Sequence, residues 1–168
     1  MINPFYAMSC LLLILFAQPA LSLGLAADRP NLISIVTDDQ GRWAMGLYGN
    51  RQIHTPHMDQ IGKQGAVFTN AFVATPVCSP SRATFLSGRF PTELKITDWI
   101  SSEEAQEGAG LTAMTWPEVL QQHGYQTALI GKWHLGELNQ FHPHEKGFGH
   151  FMGFLAGGTR PMNPTLEI

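Results

Sequence analysis

Three short segments of the chain are rich in apolar and β-branched residues and are bounded by polar residues or glycine. They span residues 31–37, 66–73 and 125–130, and each has the length of a typical strand. The first and third are expected to be buried strands, and the second is a further strand candidate.

Residues that favour helix starts and helix ends lie between these segments. Thr55, followed by proline, predicts a helix that ends at Gly65. A second helix is predicted to begin at Cys78 and to end at Gly88. A third is predicted over 115–124, where Thr-Trp-Pro-Glu has the spacing of a capping box.

Two other stretches have the composition of loops. Residues 93–110 are mostly polar, and the chain from Phe141 onward is rich in Gly, His, Pro and aromatic residues. Because helices and strands alternate in the remainder, we expect an α/β fold, a mainly parallel sheet flanked by helices.

The first 27 residues contain no Asp, Glu, Lys, Arg or His, and residues 11–17 are continuously apolar. That apolar run is too short to span a bilayer and has the length of a signal-peptide core. We therefore expect a signal peptide over 1–27 and a mature domain over 28–168, with an uncleaved membrane anchor as the alternative. Removal of the leader would take Cys10 with it and leave Cys78 as the sole cysteine.

The overall charge is small. The formal net charge is -3 and 14% of residues are charged, so nothing indicates binding to nucleic acid. The 44% hydrophobic content argues against a disordered chain.

The sequence Cys78-Ser79-Pro80-Ser81-Arg82 is the sharpest chemical feature. A residue at a helix start faces backbone N–H groups and the positive end of the helix dipole, which suits an anion. Arg82 follows one turn later and stays charged at any working pH. The alternatives are an inert cysteine in a structural helix and a reactive free thiol.

Two further motifs lie at the ends of predicted strands. Asp38 and Asp39 follow the first strand and offer the hard oxygen donors that Ca²⁺ or Mg²⁺ prefers. Lys132 and His134 follow the last strand at alternating positions, so their side chains point the same way if the strand geometry continues. Taken alone, each pair has an ordinary structural explanation as a turn, a solvated strand end or a packing residue.

The remaining histidines and tryptophans carry weaker signals. The histidines are interpreted as surface or loop residues and the tryptophans as packing residues, although any tryptophan could line a substrate cleft. They are His54, His57, His142, His144, Trp43, Trp99 and Trp116.

Together the three motifs resemble the formylglycine-dependent sulfatases, which have an alkaline-phosphatase-like fold, over roughly residues 29–154. The resemblance implies that a separate formylglycine-generating enzyme oxidises Cys78 to an aldehyde. Its hydrate offers one hydroxyl to attack the sulfur of a sulfate ester and a second that allows sulfate to leave.

The resemblance also assigns the supporting residues. Asp38, Asp39 and the modified Cys78 would bind Ca²⁺ or Mg²⁺, and Arg82 would hydrogen-bond the hydrated aldehyde or nearby oxygens. Lys132 would bind a sulfate oxygen, and His134 would help the hydrate lose its proton.

The match covers only the N-terminal portion of the family pattern. Sulfatases complete the metal site with a later Asp and an Asn, Gln or His. Glu167 is the last carboxylate in this sequence, and no equivalent of that later pair can be assigned. The 168-residue chain alone is therefore expected to be weakly active or inactive and marginally folded.

Sulfuric ester hydrolysis is the leading function. The alternatives are a phosphate or phosphonate ester hydrolase on the same scaffold and a truncated anion-binding remnant. The expected substrates are sulfated small molecules or polysaccharides. The protein would be exported, without stable membrane association after cleavage of the leader.

Overall fold

The computed structural model describes residues 29–159, and the chain divides into two compact units, residues 1–37 and 38–168. The predicted signal peptide lies outside the described residues, and the predicted domain boundary therefore stays a prediction. Within the described part of the chain, no helix has both the length and the apolar character needed to cross a membrane.

The predicted strand over 31–37 is wrong as a statement about this structure. These residues form neither helix nor strand, and Ile33 and Ile35 are 84% and 74% exposed. A strand is stabilised by backbone hydrogen bonds to a neighbouring strand, so an apolar segment without such a neighbour does not form one. Among the described residues, the sheet has two strands, neither of which comes from this segment.

Five helices and two strands make up the regular structure between residues 38 and 159. They are α1 (Pro56–Gln64), α2 (Cys78–Ser87), α3 (Pro91–Leu94), α4 (Ser102–Gln106), α5 (Trp116–Gln122), β1 (Ala128–Lys132) and β2 (His150–Phe154). Short 3₁₀ turns occupy Arg42–Ala44, Gly46–Tyr48, Asn139–Phe141 and Pro143–Lys146.

The three predicted helices are present. Gly88 ends α2 in the left-handed conformation, and its N–H donates to the Thr84 carbonyl over 2.8 Å. Thr115 and Glu118 form a complete capping box at the start of α5. Thr55 precedes α1 as predicted, but its hydroxyl makes no cap; it donates to the Asp59 carboxylate instead.

Three other local predictions are wrong. The predicted loop from Phe141 onward contains the whole of β2 (His150–Phe154). Residues 66–73 form no strand, and Phe72 is 90% exposed, because nothing in the described chain pairs with them. The predicted loop 93–110 contains the end of α3 and all of α4. The start of α4 carries a capping box between Ser101 and Glu104, a Ser-x-x-Glu signal that the polar composition of the loop obscured.

Strands β1 and β2 are parallel, with Ala128 opposite His150 and Lys132 opposite Phe154. This pairing agrees with the predicted α/β class. Strand β1 begins at Ala128, three residues later than the predicted 125–130, and ends two residues later, at Lys132, because Gly131 stays in the ladder opposite Gly153. A side chain at Gly153 would collide with the Gly131 carbonyl, so this approach of the strands requires glycine.

The core lies where α2, the 96–111 segment and the end of β1 meet. Trp133 is 1% exposed; its ring packs edge-on against Phe148, and its Nε1–H donates to the Phe141 carbonyl over 2.9 Å. The other members of the buried cluster are Ala83, Leu86, Ile96, Ile100, Ala105, Leu111, Leu135 and Phe151. The residues that flank Trp133 are therefore attached to a rigid part of the molecule.

Candidate active site

Helix α2 places Cys78 at its first position, as predicted. Val77 precedes it in an extended conformation, and the Val77 carbonyl accepts the N–H of Ser81 over 3.0 Å. Cys78 is a free, half-buried thiol, whereas Ser79 and Pro80 are buried. The helix is therefore seated in the core by its inner face, and Cys78 lies at its partly open N-terminal end.

Arg82 connects this helix to the ends of the other two motifs. It lies four residues after Cys78, on the same face of the helix. One guanidinium nitrogen donates to the Lys132 carbonyl over 2.8 Å and the other to the Asp38 carboxylate over 3.3 Å. These bonds join residues 50 and 44 positions apart, which local sequence patterns could not place.

Lys132 completes the cluster. Its Nζ lies 3.0 Å from the same Asp38 oxygen that Arg82 contacts. The Lys132 and Arg82 side chains are only 11% and 17% exposed, whereas that of Asp38 is 44% exposed. Two cations thus share one carboxylate, and this group retains a net positive charge.

The pKa of Asp38 lies below its usual range. The main cause is the hydrogen bond from Lys132, and the charges of Lys132 and Arg82 act in the same direction. Partial burial opposes the shift but does not cancel it. Asp38 is therefore ionised at neutral pH, which maintains both ion pairs.

His134 lies deeper than the ion-pair cluster. It is 4% exposed, has a φ of 59°, and its Nε2 lies 2.8 Å from the Ile100 carbonyl oxygen. A carbonyl can only accept, so Nε2 carries the proton and Nδ1 is the unprotonated nitrogen. Nδ1 is buried and has no hydrogen-bond partner among the described residues.

Burial is the main reason that the pKa of His134 is lowered from its usual value. The charges of Lys132 and Arg82 lower it further, while the hydrogen bond to Ile100 opposes them. His134 is therefore neutral at pH 7, with a free lone pair on Nδ1. A side chain at residue 157 would press on the imidazole ring, so Gly157 is required there for close approach.

The hydrogen bond between Ser79 and Ile100 was not predicted from the sequence. Ser79 is fully buried, and its Oγ accepts the N–H of Ile100 over 3.0 Å. The available signal was a hydroxyl residue on the inner face of a predicted helix, where a polar group needs a partner.

Asp39 is not drawn into the cluster. It is exposed, has a φ of 53°, and its carboxylate forms no ion pair within residues 29–159. Asp and His are among the residues that tolerate the left-handed region best, and such conformations concentrate at functional sites.

The fit of a divalent cation to these residues is partial. Asp38 and Asp39 provide hard carboxylate oxygens of the kind that Ca²⁺ and Mg²⁺ prefer. No group of three His, Cys, Asp or Glu side chains in the described part of the chain is arranged to hold a metal ion. Since Ca²⁺ requires six or more oxygens, these residues would form only one side of such a site.

The remaining aromatic candidates divide into two groups. Trp116 packs edge-on against Phe85, as predicted for a packing residue. Trp43 and Trp99 are 73% and 55% exposed, so the packing prediction is wrong for both. The Trp99 ring lies 6.4 Å from the His134 ring, centroid to centroid, which places it beside the candidate site.

The other histidines lie apart from the cluster. His54 and His57 are exposed, as predicted. The rings of His142 and His144 are 4.7 Å apart, and the His142 ring also packs against Phe151. Neither pair belongs to a metal-binding group among the described residues.

Comparisons with a family model and with individual proteins indicate the same family. The model of the family described as Sulfatase matches residues 30–167. Human steryl-sulfatase is 37% identical over 150 residues, and rat N-acetylgalactosamine-6-sulfatase is 35% identical over 154 residues. These alignments cover 83% and 88% of the chain, but only 26% and 29% of the two relatives.

Solved structures agree. The crystal structure of Ps i-CgsB superposes with a TM-score of 0.71 at 36% identity, over 75% of this chain and 28% of that one. BT4656, in complex with its substrate D-glucosamine-2-N,6-O-disulfate, gives a TM-score of 0.63 at 40% identity, over 77% and 24%. The chain thus spans 24–29% of the length of these relatives, and it belongs to the sulfatase family.

Proposed function

We propose that this chain forms the nucleophile-bearing part of a sulfate ester hydrolase. The observation that carries the proposal is the convergence of Asp38, Arg82 and Lys132, from three separate motifs, on one ion-pair cluster. Arg82 belongs to the helix that begins with Cys78, so the cluster and the nucleophile position share one rigid element.

Cys78 is the proposed nucleophile precursor. When it is oxidised to formylglycine, the hydrated aldehyde supplies one hydroxyl for attack on sulfur and a second for the release of sulfate. The helix N-terminus favours negative charge at this position, because backbone N–H groups and the helix dipole are directed at it.

Lys132 and Arg82 are proposed to bind the sulfate group. Both side chains are largely buried, and electrostatic stabilisation of an anion is stronger in such a place than in water. They retain net positive charge even after pairing with Asp38, and a sulfate oxyanion would neutralise it.

His134 is proposed as the proton acceptor of the site. Its lowered pKa keeps it neutral at pH 7, and Nδ1 carries a lone pair that no described residue uses. A neutral imidazole in this state can take a proton from a hydroxyl when sulfate leaves.

Asp38 and Asp39 are the residues that would hold a divalent cation, together with oxygen donors from the modified Cys78 side chain. Ca²⁺ or Mg²⁺ would supply Lewis-acid polarisation of a sulfate oxygen. The exposed carboxylate of Asp39 carries no competing ion pair in the described chain, which leaves it available for such a role.

The proposed substrates are sulfated carbohydrates. BT4656 acts on a disulfated glucosamine, and Ps i-CgsB has been solved with k-i-k-neocarrahexaose. The exposed Trp99 ring beside His134 suits stacking against a sugar ring. We also propose that the protein is exported and that a separate formylglycine-generating enzyme oxidises Cys78.

The direct test uses the protein produced together with a formylglycine-generating enzyme and supplied with Ca²⁺. We expect mass spectrometry to find formylglycine at position 78. We expect sulfate release from an aryl sulfate to be weak for this chain alone, because its residues would form only one side of the metal site, and still to exceed phosphate release from the matching aryl phosphate. Faster phosphate release would favour the phosphohydrolase alternative. Sulfate binding without turnover would favour an anion-binding function.

A pair of variants examines the nucleophile itself. Cys78→Ala removes every nucleophilic group and should abolish turnover. Cys78→Ser keeps one hydroxyl, so it should accept the sulfuryl group, release one equivalent of alcohol and then stop, because no second hydroxyl expels sulfate. Continuous turnover by Cys78→Ser would contradict the proposed mechanism.

A further inference from the structure

A chain of two buried hydrogen bonds links the nucleophile helix to the His134 ring. Ser79, the residue after Cys78, accepts the N–H of Ile100 with its Oγ over 3.0 Å. The carbonyl of the same residue, Ile100, accepts the Nε2–H of His134 over 2.8 Å. All three linked residues are buried, at 0%, 7% and 4% exposure.

The geometry of this chain determines the tautomer of His134. The Ile100 carbonyl has no proton to give, so it selects the imidazole with hydrogen on Nε2. Nδ1 then has to be the acceptor nitrogen, and it is the atom left without a partner among the described residues. A shifted Ile100 peptide would weaken this selection, because hydrogen bonds lose strength steeply with distance and angle.

The backbone of Ile100 is itself fixed from the side of α2, through its N–H. It lies in the linker between α3 and α4, which by itself has no ladder to hold its backbone. The Ser79 hydroxyl supplies a partner for the buried Ile100 N–H, and loss of that partner would leave the group unsatisfied. The position of the carbonyl that orients His134 therefore depends on Ser79.

We propose that Ser79 is a positioning residue that acts through the backbone of Ile100 to hold His134 as the Nε2–H tautomer, with Nδ1 as the proton acceptor. Its role in turnover rests on the proposed sulfatase function, whereas its effect on the tautomer does not. Ser79 itself touches neither substrate nor the reacting atoms in this proposal.

The first test is spectroscopic and needs no activity. ¹⁵N NMR of histidine-labelled protein at neutral pH should show protonated Nε2 and unprotonated Nδ1 for His134, assigned by its absence in His134→Asn. Ser79→Ala should shift these resonances towards a mixture of tautomers. A wild-type His134 protonated on Nδ1 would overturn the proposal whatever the variants do.

The second test is kinetic. Ser79→Ala should lower kcat by about tenfold to a hundredfold with little change in KM, as for a misplaced catalytic group. Ser87→Ala is the matched control, since its hydroxyl makes only local bonds: it donates to the Ala83 carbonyl over 2.7 Å and accepts the N–H of Arg89 over 3.2 Å. Ser79→Thr retains the hydroxyl and should recover most of the lost kcat.

The outcomes separate this proposal from the proposed function. If Ser79→Ala folds with the same His134 resonances and kcat as Ser87→Ala, Ser79 has no positioning role. If Ser79→Ala fails to fold, a folded Ser79→Thr with altered His134 resonances overturns the proposal, and one with wild-type resonances supports it. If the wild type hydrolyses no sulfate ester but Ser79→Ala shifts His134, the proposed function fails and the positioning role stands.

Discussion

Residues 31–37 and residues 128–134 are both apolar segments that run directly into proposed site residues, yet only the second is built into a sheet and core. The first ends at Asp38 and Asp39, and its Ile33 is 84% exposed with no strand pairing. The second forms β1 against β2 and continues into Trp133, which is 1% exposed. The difference lies in the available partners: β2 pairs with residues 128–132, whereas no strand among the described residues pairs with 31–37.

The same contrast extends to the charged groups. The carboxylate end of the site is open to solvent, and the Asp38 side chain is held there by two ion pairs, the only ones it makes with described residues. The Lys132–His134 end is held by strand pairing, buried rings and backbone hydrogen bonds. We therefore expect the second end to be rigid before any ligand binds and the first to be more easily reorganised.

Replacing Trp133 should have the largest effect on stability. Trp133→Ala would leave a large cavity in the core, and we expect a loss of about 3–5 kcal/mol in the free energy of unfolding, measured by urea denaturation. Trp43→Ala is the matched control, because Trp43 is 73% exposed and should cost far less. Equal losses in the free energy of unfolding for Trp133→Ala and Trp43→Ala would contradict the conclusion that the β1 end of the site is built into a packed core.

Replacing Lys132 should have the largest effect on turnover. Lys132→Ala removes a buried charge proposed to bind sulfate, and we expect kcat to fall about 10²–10³-fold, or about 2.7–4 kcal/mol. The exposed Lys63 in α1 provides the control variant Lys63→Ala, with unchanged kcat. A Lys132→Ala enzyme with wild-type kcat would show that the cluster is purely structural.

The lowered pKa of His134 predicts a stability change with pH. Because burial keeps the folded pKa below the usual 6.5, the unfolded chain binds a proton before the folded one does. The His134 contribution to stability is therefore complete above about pH 6.5 and is lost progressively as pH falls towards the folded pKa. His134→Asn should flatten this slope in urea titrations, and His57→Asn, at an exposed position, should not. An unchanged slope in His134→Asn would contradict the burial argument.

The smallest effect should come from the segment without a strand. Ile33 and Ile130 are similarly exposed, at 84% and 77%, but only Ile130 lies in a paired strand. Ile33→Ala should change the free energy of unfolding by less than about 0.5 kcal/mol. Ile130→Ala should cost more, up to about 1 kcal/mol, through lost strand preference. The reverse order would mean that 31–37 is paired and buried in solution.

Several features were predictable because their causes are local. Thr115 and Glu118 cap a helix through contacts three residues apart, and Gly88 ends α2 because only glycine adopts the left-handed conformation without cost. The strand at 125–130 was predicted nearly in place, because a short β-branched run there finds a parallel partner. The Cys78 motif could likewise be recognised in the sequence, since its five residues are contiguous.

Other features could not be predicted, because they depend on contacts between residues that are distant in the sequence. Residues 31–37 and 66–73 have strand composition but no partner in the described chain, and composition alone cannot supply one. The short helix α4 was missed because a polar surface helix and a polar loop have the same composition. The exposure of Trp99 was missed because burial depends on what packs around the ring.

The sequence by itself determined the chemistry of the site, its order along the chain and the helix that carries Cys78, because each depends on residue type and short-range spacing. The tertiary structure decided that Arg82 and Lys132 share the Asp38 carboxylate. It also decided that the Ser79–Ile100–His134 chain leaves Nδ1 without a partner among residues 29–159. Those contacts join residues tens of positions apart, and only the packing of the core around Trp133 brings them within hydrogen-bonding distance.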